Sequence, residues 1–415
     1  MVHQQAAAEF QNAPSLEGVE EISVEGFYSR INQSNDILLL DVRNESEYES
    51  WKIESKFTPE TMHIPYTIFA EDGPYALLEL PQLTAVPQDR QILVVCAVGD
   101  ASDLIAAILR EEGWQNALNL TGGMIAWGDF YVTRPVIENE SYQIHQVDRV
   151  ARGCLSYVLI SDGKAAIIDP LRHIDRYQEF LKGNGLELSY LLDTHAHADH
   201  ISGGPAISSQ TGSPYYLHPY DGIHPFDMLP AVIEYETLAD GQRFSLGALT
   251  IEVLHTPGHT LGQVNFIVTD EDGESYAFTG DNVFIQSFGR PDLGGQGEAW
   301  APIVYETIFD KFKNAVKDDT LVLPGHYATF DEADSRGLVA KRAADLWREN
   351  AGLQFDDRAA FIEYVLDHLP QMPEQYVEIK RVNIGLTNPD EKTASELELG
   401  KNICALTDAY SLKSN

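Results

Sequence analysis

The stretch THAHADH, Thr194 to His200, sets three histidines and an aspartate just behind the apolar run Leu188–Leu192. A chain that does this must end a strand in a loop where several neutral-pH metal ligands crowd together. His195 and His197 are two apart, so on extended backbone both project to the same side. Asp199 and His200 add an oxygen and a nitrogen donor to the same mouth. Three more donors follow, His259 in HTPGHT, Asp281 in FTGD and His326 in LPGH, each trailing an apolar run and beside or near glycine. A lone histidine is usually structural or exposed, but seven donors in this pattern read as a metal constellation. The runs AAIID, SYLLDT, LTIEVLHT, VNFIVTD, YAFTGD and LVLPGH are read as short strands. Their ends and following loops are where a rigid scaffold can aim ligands at one point.

The N-terminal part has a different texture. Over 17–130 strand and helix signals alternate, and ILLLDV (Ile37 to Val42) and QILVVC (Gln91 to Cys96) are near-continuous apolar runs of the kind buried in a parallel sheet. A helix is expected after the second run, with Ser102 as its cap, Leu104, Ile105, Ile108 and Leu109 on one face, and Gly113 as its stop. Cys96 therefore stands between a buried strand and a helix start, in the loop CAVGDAS. Backbone N–H groups of such a loop can curl around one sulfur, and the helix dipole favours a thiolate there. A buried cysteine that merely closes the strand is the competing reading.

Between the two patterns, TRPVIENES (Thr133 to Ser141) is polar and contains proline, which reads as a linker. After Asp345 come helical patches, LWREN and AAFIEYVLDHL, then a proline-containing segment and a polar tail. The expected organisation is an α/β domain over 17–132, a linker over 133–142, a second domain over 143–345, and an extension over 346–415 packed on that second domain.

Charge and cysteine content narrow the function classes. Asp and Glu number 64 against 28 Lys and Arg, a formal net charge of -36. A polyanion of this kind repels nucleic acid and anionic membrane alike. Cys96, Cys154 and Cys404 are odd in number and far apart, so no disulfide framework is expected, and Cys154 and Cys404 read as packed thiols. No basic leader or long apolar stretch opens the sequence, and no run approaches the roughly 18 apolar residues of a membrane helix. A cytoplasmic setting is the resulting expectation, with a homo-oligomer possible if the tail docks on a neighbour.

The motif His195, His197, Asp199, His200, with His259, Asp281 and His326 behind it, resembles the metallo-β-lactamase superfamily. That resemblance implies an αββα sandwich with metal at one edge. DVRNESEYESWKIES, MHIPY and LTGGMIAW similarly resemble, in that order, the rhodanese domain over about 20–130, with Cys96 at the position of its persulfide-forming cysteine. FGRPDLGG, RGCLSYVLI and ELGKNICAL resemble the branch in which a rhodanese is fused to a persulfide dioxygenase. By that resemblance one Fe(II) per chain would sit on His195, His259 and Asp281, while His197, Asp199, His200 and His326 orient ligands and water. Arg290, in FGRPDLGG, reads equally as an anion contact or as half of a structural salt bridge.

The implied reaction is oxidation of a low-molecular-weight thiol persulfide, such as glutathione persulfide, by O2 to sulfite and thiol. Cys96 would exchange sulfane sulfur with thiosulfate, weakly, because Ala101 stands where many rhodanese loops carry a basic residue. The alternative is a glyoxalase II-like thioester hydrolase that places two Zn on all seven donors, with Asp281 bridging, and the same donor types serve both metals. A relay protein with only a structural zinc is disfavoured because the seven donors include no cysteine and exceed one tetrahedron. Salt adaptation of the acidic surface is tested by a stability curve against salt: no gain in melting temperature between low and molar KCl counts against it.

Overall fold

In the computed structural model, which describes residues 18–33, 36–57, 59–68, 75–355 and 357–406, the two N-terminal apolar runs become neighbouring strands. Strands β1 (Glu20–Ile22), β2 (Leu38–Asp41), β3 (Glu60–His63), β4 (Ile92–Val95) and β5 (Ala117–Leu120) form an all-parallel sheet in the order β1-β5-β4-β2-β3. β2 and β4 are buried along their whole length, which is why their sequences lack polar alternation. Leu38, Leu40, Ile92 and Val94 pack with Ile105, Ile108 and Leu109 of the helix Asp100–Glu111. By proximity of Cα atoms this unit takes the chain to Phe130, together with 150–152 and 399–401.

The second unit begins at Tyr131 and holds Tyr131–Arg149, Gly153–Glu398 and the chain from Asn402. Its first sheet is built from β6 (Tyr131–Glu138), β7 (Tyr142–Arg149), β8 (Cys154–Ser161), β9 (Lys164–Ile168), β10 (Glu187–Leu192), β11 (Tyr215–Leu217) and β12 (Glu236–Thr237), each beside its sequence neighbour. The second sheet takes β13 (Arg243–Leu246), β14 (Leu249–His255), β15 (Val264–Thr269), β16 (Ser275–Gly280), β18 (Leu321–Pro324) and β19 (Lys341–Arg342). β17 (Phe288–Gly289) pairs instead with β20 (Ala405–Leu406).

Alternation along β8 shows how the layers stack. Leu155, Tyr157 and Leu159 point at the second sheet, among Ile251, Phe266, Phe278 and Leu323, and Tyr157 meets Phe278 edge-on with ring centroids 4.9 Å apart. Cys154, Val158 and Ile160 face the other way, toward Tyr177 and Leu181 of the helix Asp175–Gly183 and Ile207 of the helix Gly204–Thr211. Both faces of β8 are therefore covered. Against the second sheet lie Val304, Ile308 and Leu346 from helical segments. The result is the expected mixed α/β fold: a parallel-sheet N-terminal part, then a sandwich of two sheets with helices outside it.

The linker expected over 133–142 is absent, because those residues belong to β6, β7 and their turn. Pro135 is tolerated there since β6 is an edge strand whose register shifts between Pro135 and Ile137. The segment read as a polar tail is helical over Glu374–Asn383 and Glu391–Leu397. Residues 1–17 and 407–415, including both ends of the expected domain limits, lie outside the described residues. Among the described residues no helix is long and apolar enough to cross a membrane. Leu40 is fully buried between β3 and β4, so Leu40→Ala is expected to cost about 2–5 kcal/mol, seen as a lower urea midpoint for the parallel-sheet unit.

Candidate metal centre

All seven expected donors come from loops that leave strand ends: His195, His197, Asp199 and His200 after β10, His259 after β14, Asp281 after β16 and His326 after β18. Each is at most 2% exposed. The loop after β10 is shaped from beneath by Asp169, which takes a positive φ of 50° and accepts from the Thr194 N–H (2.7 Å) and hydroxyl (3.0 Å). Because that hydroxyl donates to Asp169, it accepts from His195 Nδ1 at 2.9 Å, leaving the Nε2 lone pair of His195 free to ligate. His259 is set by the same logic, its Nδ1 donating to the Arg290 carbonyl at 2.8 Å. Asp221 ties the two loops together, accepting from Ala196 N (2.8 Å), the Thr260 hydroxyl (2.7 Å) and Gly262 N (3.0 Å).

The donors separate into groups. His195, His259 and Asp281 form one, with Asp281 Oδ2 3.2 Å from His259 Nε2 and 3.8 Å from His195 Nε2. None of these three atoms has a hydrogen-bond partner, although all are buried. Three orphaned donors converging in a dry site fit a divalent cation, which relieves the cost of leaving them unpaired. Burial, reinforced by His197, pushes the His195 imidazole well below its ordinary range. For Asp281 burial acts upward, but His326 and His259 outweigh it and hold the carboxyl well below the usual carboxylate range. A neutral imidazole and an ionised carboxylate are the ligating forms.

A second group contains Asp199, His200, His326 and Cys154. His326 is held between carboxylates, with Nδ1 2.5 Å from Asp281 Oδ1 and Nε2 2.9 Å from Asp199 Oδ2. His200 Nδ1 is 3.1 Å from Asp199 Oδ1; burial alone would lower its pKa, yet Asp199 carries it up to about 10. His197 groups with Asp169 and Asp193, its Nε2 3.3 Å from Asp169, while its ring centroid lies 4.2 Å from that of His195 and 4.1 Å from that of His200.

Three expectations need correction. Cys154 is not simply a packed thiol, since its Sγ lies 3.3 Å from Asp199 Oδ2, so the donor set does include a cysteine. Cys404 is likewise buried within reach of Asp281 and His326. Arg290 does not offer its guanidinium to a substrate: it is fully buried, paired with Asp292 at 2.7 and 2.9 Å, and donates to the Pro370 carbonyl at 2.5 Å. What Arg290 contributes to the centre is its own carbonyl, on His259. Gly289 beside it is required sterically, because a Cβ there would lie 1.8 Å from the Asp281 carbonyl oxygen.

Residues that the sequence did not single out grip the HAHADH loop from far along the chain. Asn383 donates to the carbonyls of His197 and His200, both at 2.8 Å, and accepts from Ser202 N. Glu398 accepts from Ile201 N at 2.7 Å while paired with the buried Arg149 and with Arg172, both at 2.8 Å. Lys380 donates to the Ala196 carbonyl at 2.9 Å. Only a polar residue aligned toward this loop would have signalled these contacts, and polar residues in a tail look solvated.

In the parallel-sheet unit, Cys96 directly follows β4 and is 5% exposed. Its Sγ accepts from Gly99 N at 3.1 Å and from the Ser102 hydroxyl at 3.2 Å. The expected cap is corrected accordingly: Gly99, at φ 103°, starts the helix, while Ser102 lies inside it and turns its hydroxyl back to the sulfur.

The family described as Metallo-beta-lactamase superfamily matches residues 149–326, and Rhodanese-like domain matches residues 23–129. A protein of Bacillus subtilis (strain 168) named "probable metallo-hydrolase" is 30% identical over 185 residues, covering 41% of this chain and 83% of that one. A mitochondrial persulfide dioxygenase of Homo sapiens is 32% identical over 175 residues, 39% of this chain and 59% of the human protein. A crystal structure of a metallo-beta-lactamase from Staphylococcus aureus subsp. aureus COL superposes with TM-score 0.52 at 25% identity, covering 60% of this chain and 74% of that one. Removing the grip on the metal loop should loosen the ligands: Asn383→Ala is expected to lower metal affinity by about 10–100-fold, measured by chelator competition.

Proposed function

Because the chain belongs to the metallo-beta-lactamase superfamily and carries a rhodanese-like domain ahead of that fold, we propose that it is an iron-dependent persulfide dioxygenase. The overall change would be RSSH + O2 + H2O giving RSH and sulfurous acid, which ionises to sulfite. The outer sulfur loses four electrons and O2 gains them. The observation that carries this reading is the convergence of His195 Nε2, His259 Nε2 and Asp281 Oδ2, three buried atoms without hydrogen-bond partners, while the other oxygen of Asp281 is taken by His326. Two histidines and one carboxylate with open positions suit Fe(II). The likeness to the human persulfide dioxygenase supports the same reading.

When bound, iron would supply the electron transfer between sulfur and oxygen. The chain's own residues would do the rest. Thr194 and the Arg290 carbonyl orient the two imidazoles; His326 and Asp199 keep the free side of Asp281 from turning away. Burial of every donor excludes water that would compete for the open positions. Cys96, cupped by Gly99 N and Ser102, would carry sulfane sulfur as a persulfide between the thiol pool and thiosulfate.

One observation favours a second reading, a two-zinc thioester hydrolase: Asp199, His200, His326 and Cys154 lie together, and His200 Nε2 is also without a partner. Metal content and oxygen uptake separate the two. Protein loaded anaerobically with Fe(II) should bind about one iron per chain and consume O2 with glutathione persulfide, forming sulfite. His259→Ala should cut uptake at least about 100-fold, since it removes a ligand rather than a neighbour of one. Cys96→Ser should keep it. Two zinc per chain with thioester cleavage, and no O2 uptake by the iron form, would transfer the assignment to the hydrolase.

A further inference from the structure

Lys380 is the unusual residue of the second unit. It sits in the helix Glu374–Asn383 with 5% of its surface exposed, and lines a cleft of about 330 Å³ beside the metal loop. Its bond to the Ala196 carbonyl, between His195 and His197, fixes it next to the triad. No carboxylate lies within ion-pairing distance of it among the described residues. The other charged residue of the cleft, Asp221, has both oxygens occupied by Ala196, Thr260 and Gly262. An ammonium that is buried without an ion-pair contact is costly: burial pushes its pKa down, and the more distant Asp221, Cys404, Asp281 and Asp199 offset that only in part. The cost is offset if an anion arrives with the ligand.

The remaining walls are apolar. Tyr220, Ile223, Met228 and Leu261 line the cleft and are themselves exposed, in company with Trp300. Exposed apolar residues gathered around one cavity mark a binding surface. Met228 also holds a positive φ of 54°, a strain that persists where the surroundings impose it. The segment bearing it is pinned by Asp227 to Arg381 at 2.7 and 2.9 Å, so adjacent residues of one helix set the cation and hold the apolar rim.

We infer that this cleft takes the carrier part of the persulfide, and that Lys380 recognises a single carboxylate on it, the apolar walls receiving the stem. This rests on the function proposed above and narrows it. The substrate class is a small thiol persulfide with one carboxylate near an apolar chain; a polyphosphorylated carrier, with several charges and one cation to meet them, is the poorer ligand. Lys380 is a specificity-determining residue, distinct from the metal ligands.

The test compares 3-mercaptopropionate with 3-mercapto-1-propanol, which differ in that carboxylate, using iron-loaded full-length protein kept anaerobic for binding. Calorimetry should show the carboxylated thiol binding at least about tenfold tighter, and Lys380→Met should erase that preference while Lys380→Arg restores most of it. With the corresponding persulfides, and compared per bound iron, Lys380→Met should raise KM for the carboxylated substrate at least about tenfold more than for the alcohol, the difference that a brace on the metal loop would not produce. Equal binding of the two thiols by wild-type protein overturns the inference, and that comparison decides the matter even if Lys380→Met does not fold. Equal loss on both substrates together with lost iron would also overturn it, leaving Lys380 as a brace for the metal loop. If the carboxylate preference depends on Lys380 but no persulfide supports O2 uptake, the dioxygenase reading fails and the cleft assignment stands.

Discussion

Seven side chains that would each be better solvated in water are buried at one end of a sandwich, and the rest of the second unit is arranged around making that tolerable. Asp281 is the hinge of the arrangement. One of its oxygens faces His259 and His195 without a hydrogen-bond partner, and the other is taken by His326. Each oxygen therefore belongs to a different group of donors. A single carboxylate thus joins two groups of donors, and imidazole nitrogens without hydrogen-bond partners remain on both sides of it, Nε2 of His195 and His259 on one and Nε2 of His200 on the other. Because all of these donors are buried, their charges act on one another with little screening.

What was legible from sequence is what is local. A strand end, a ligand type and a neighbouring glycine are all written within a few residues, which is why the donors after β10, β14, β16 and β18 could be placed. The buried strands β2 and β4 were legible for the same reason. The failures came where one local rule met a stronger distant or geometric one. Ser102 obeys the preference for serine near a helix start, yet Gly99 takes the left-handed position first and frees the hydroxyl for Cys96. Pro135 breaks a strand only in the middle of a sheet, and β6 is at an edge. Cys154 looked like core because its strand is core; nothing nearby in sequence announces that Asp199 will arrive against it. Asn383 and Glu398 read as solvated because their partners lie 181 to 197 residues earlier.

Charge links surface and interior in an uneven way. The chain carries a formal -36 overall, yet the polar contacts that shape the metal loop include the buried cations Lys380 and Arg149 and the half-buried Arg172, turned inward from a C-terminal helix, from the first sheet and from the loop after β9. Outside, the field discourages any anion from approaching at low ionic strength. It decays within about 10 Å at 0.1 M salt, whereas the buried groups are screened far less. Salt thus weakens the barrier to an anionic ligand more than it weakens the interior groups that would receive it.

The grip of residues 380–398 on the HAHADH loop also sets an order of events in synthesis. The loop is made early in the second unit, but the hydrogen bonds from Lys380, Asn383 and Glu398 span 181 to 197 residues. While the chain is still emerging, Ala196, His197 and His200 have carbonyls with nothing to receive, and Ile201 and Ser202 have amides with nothing to meet. The ligand loop acquires its final shape only when the chain as far as Glu398 is out of the ribosome. Metal capture is then a late step of maturation, and a chain that stops short of Glu398 has every ligand yet lacks the frame that aims them.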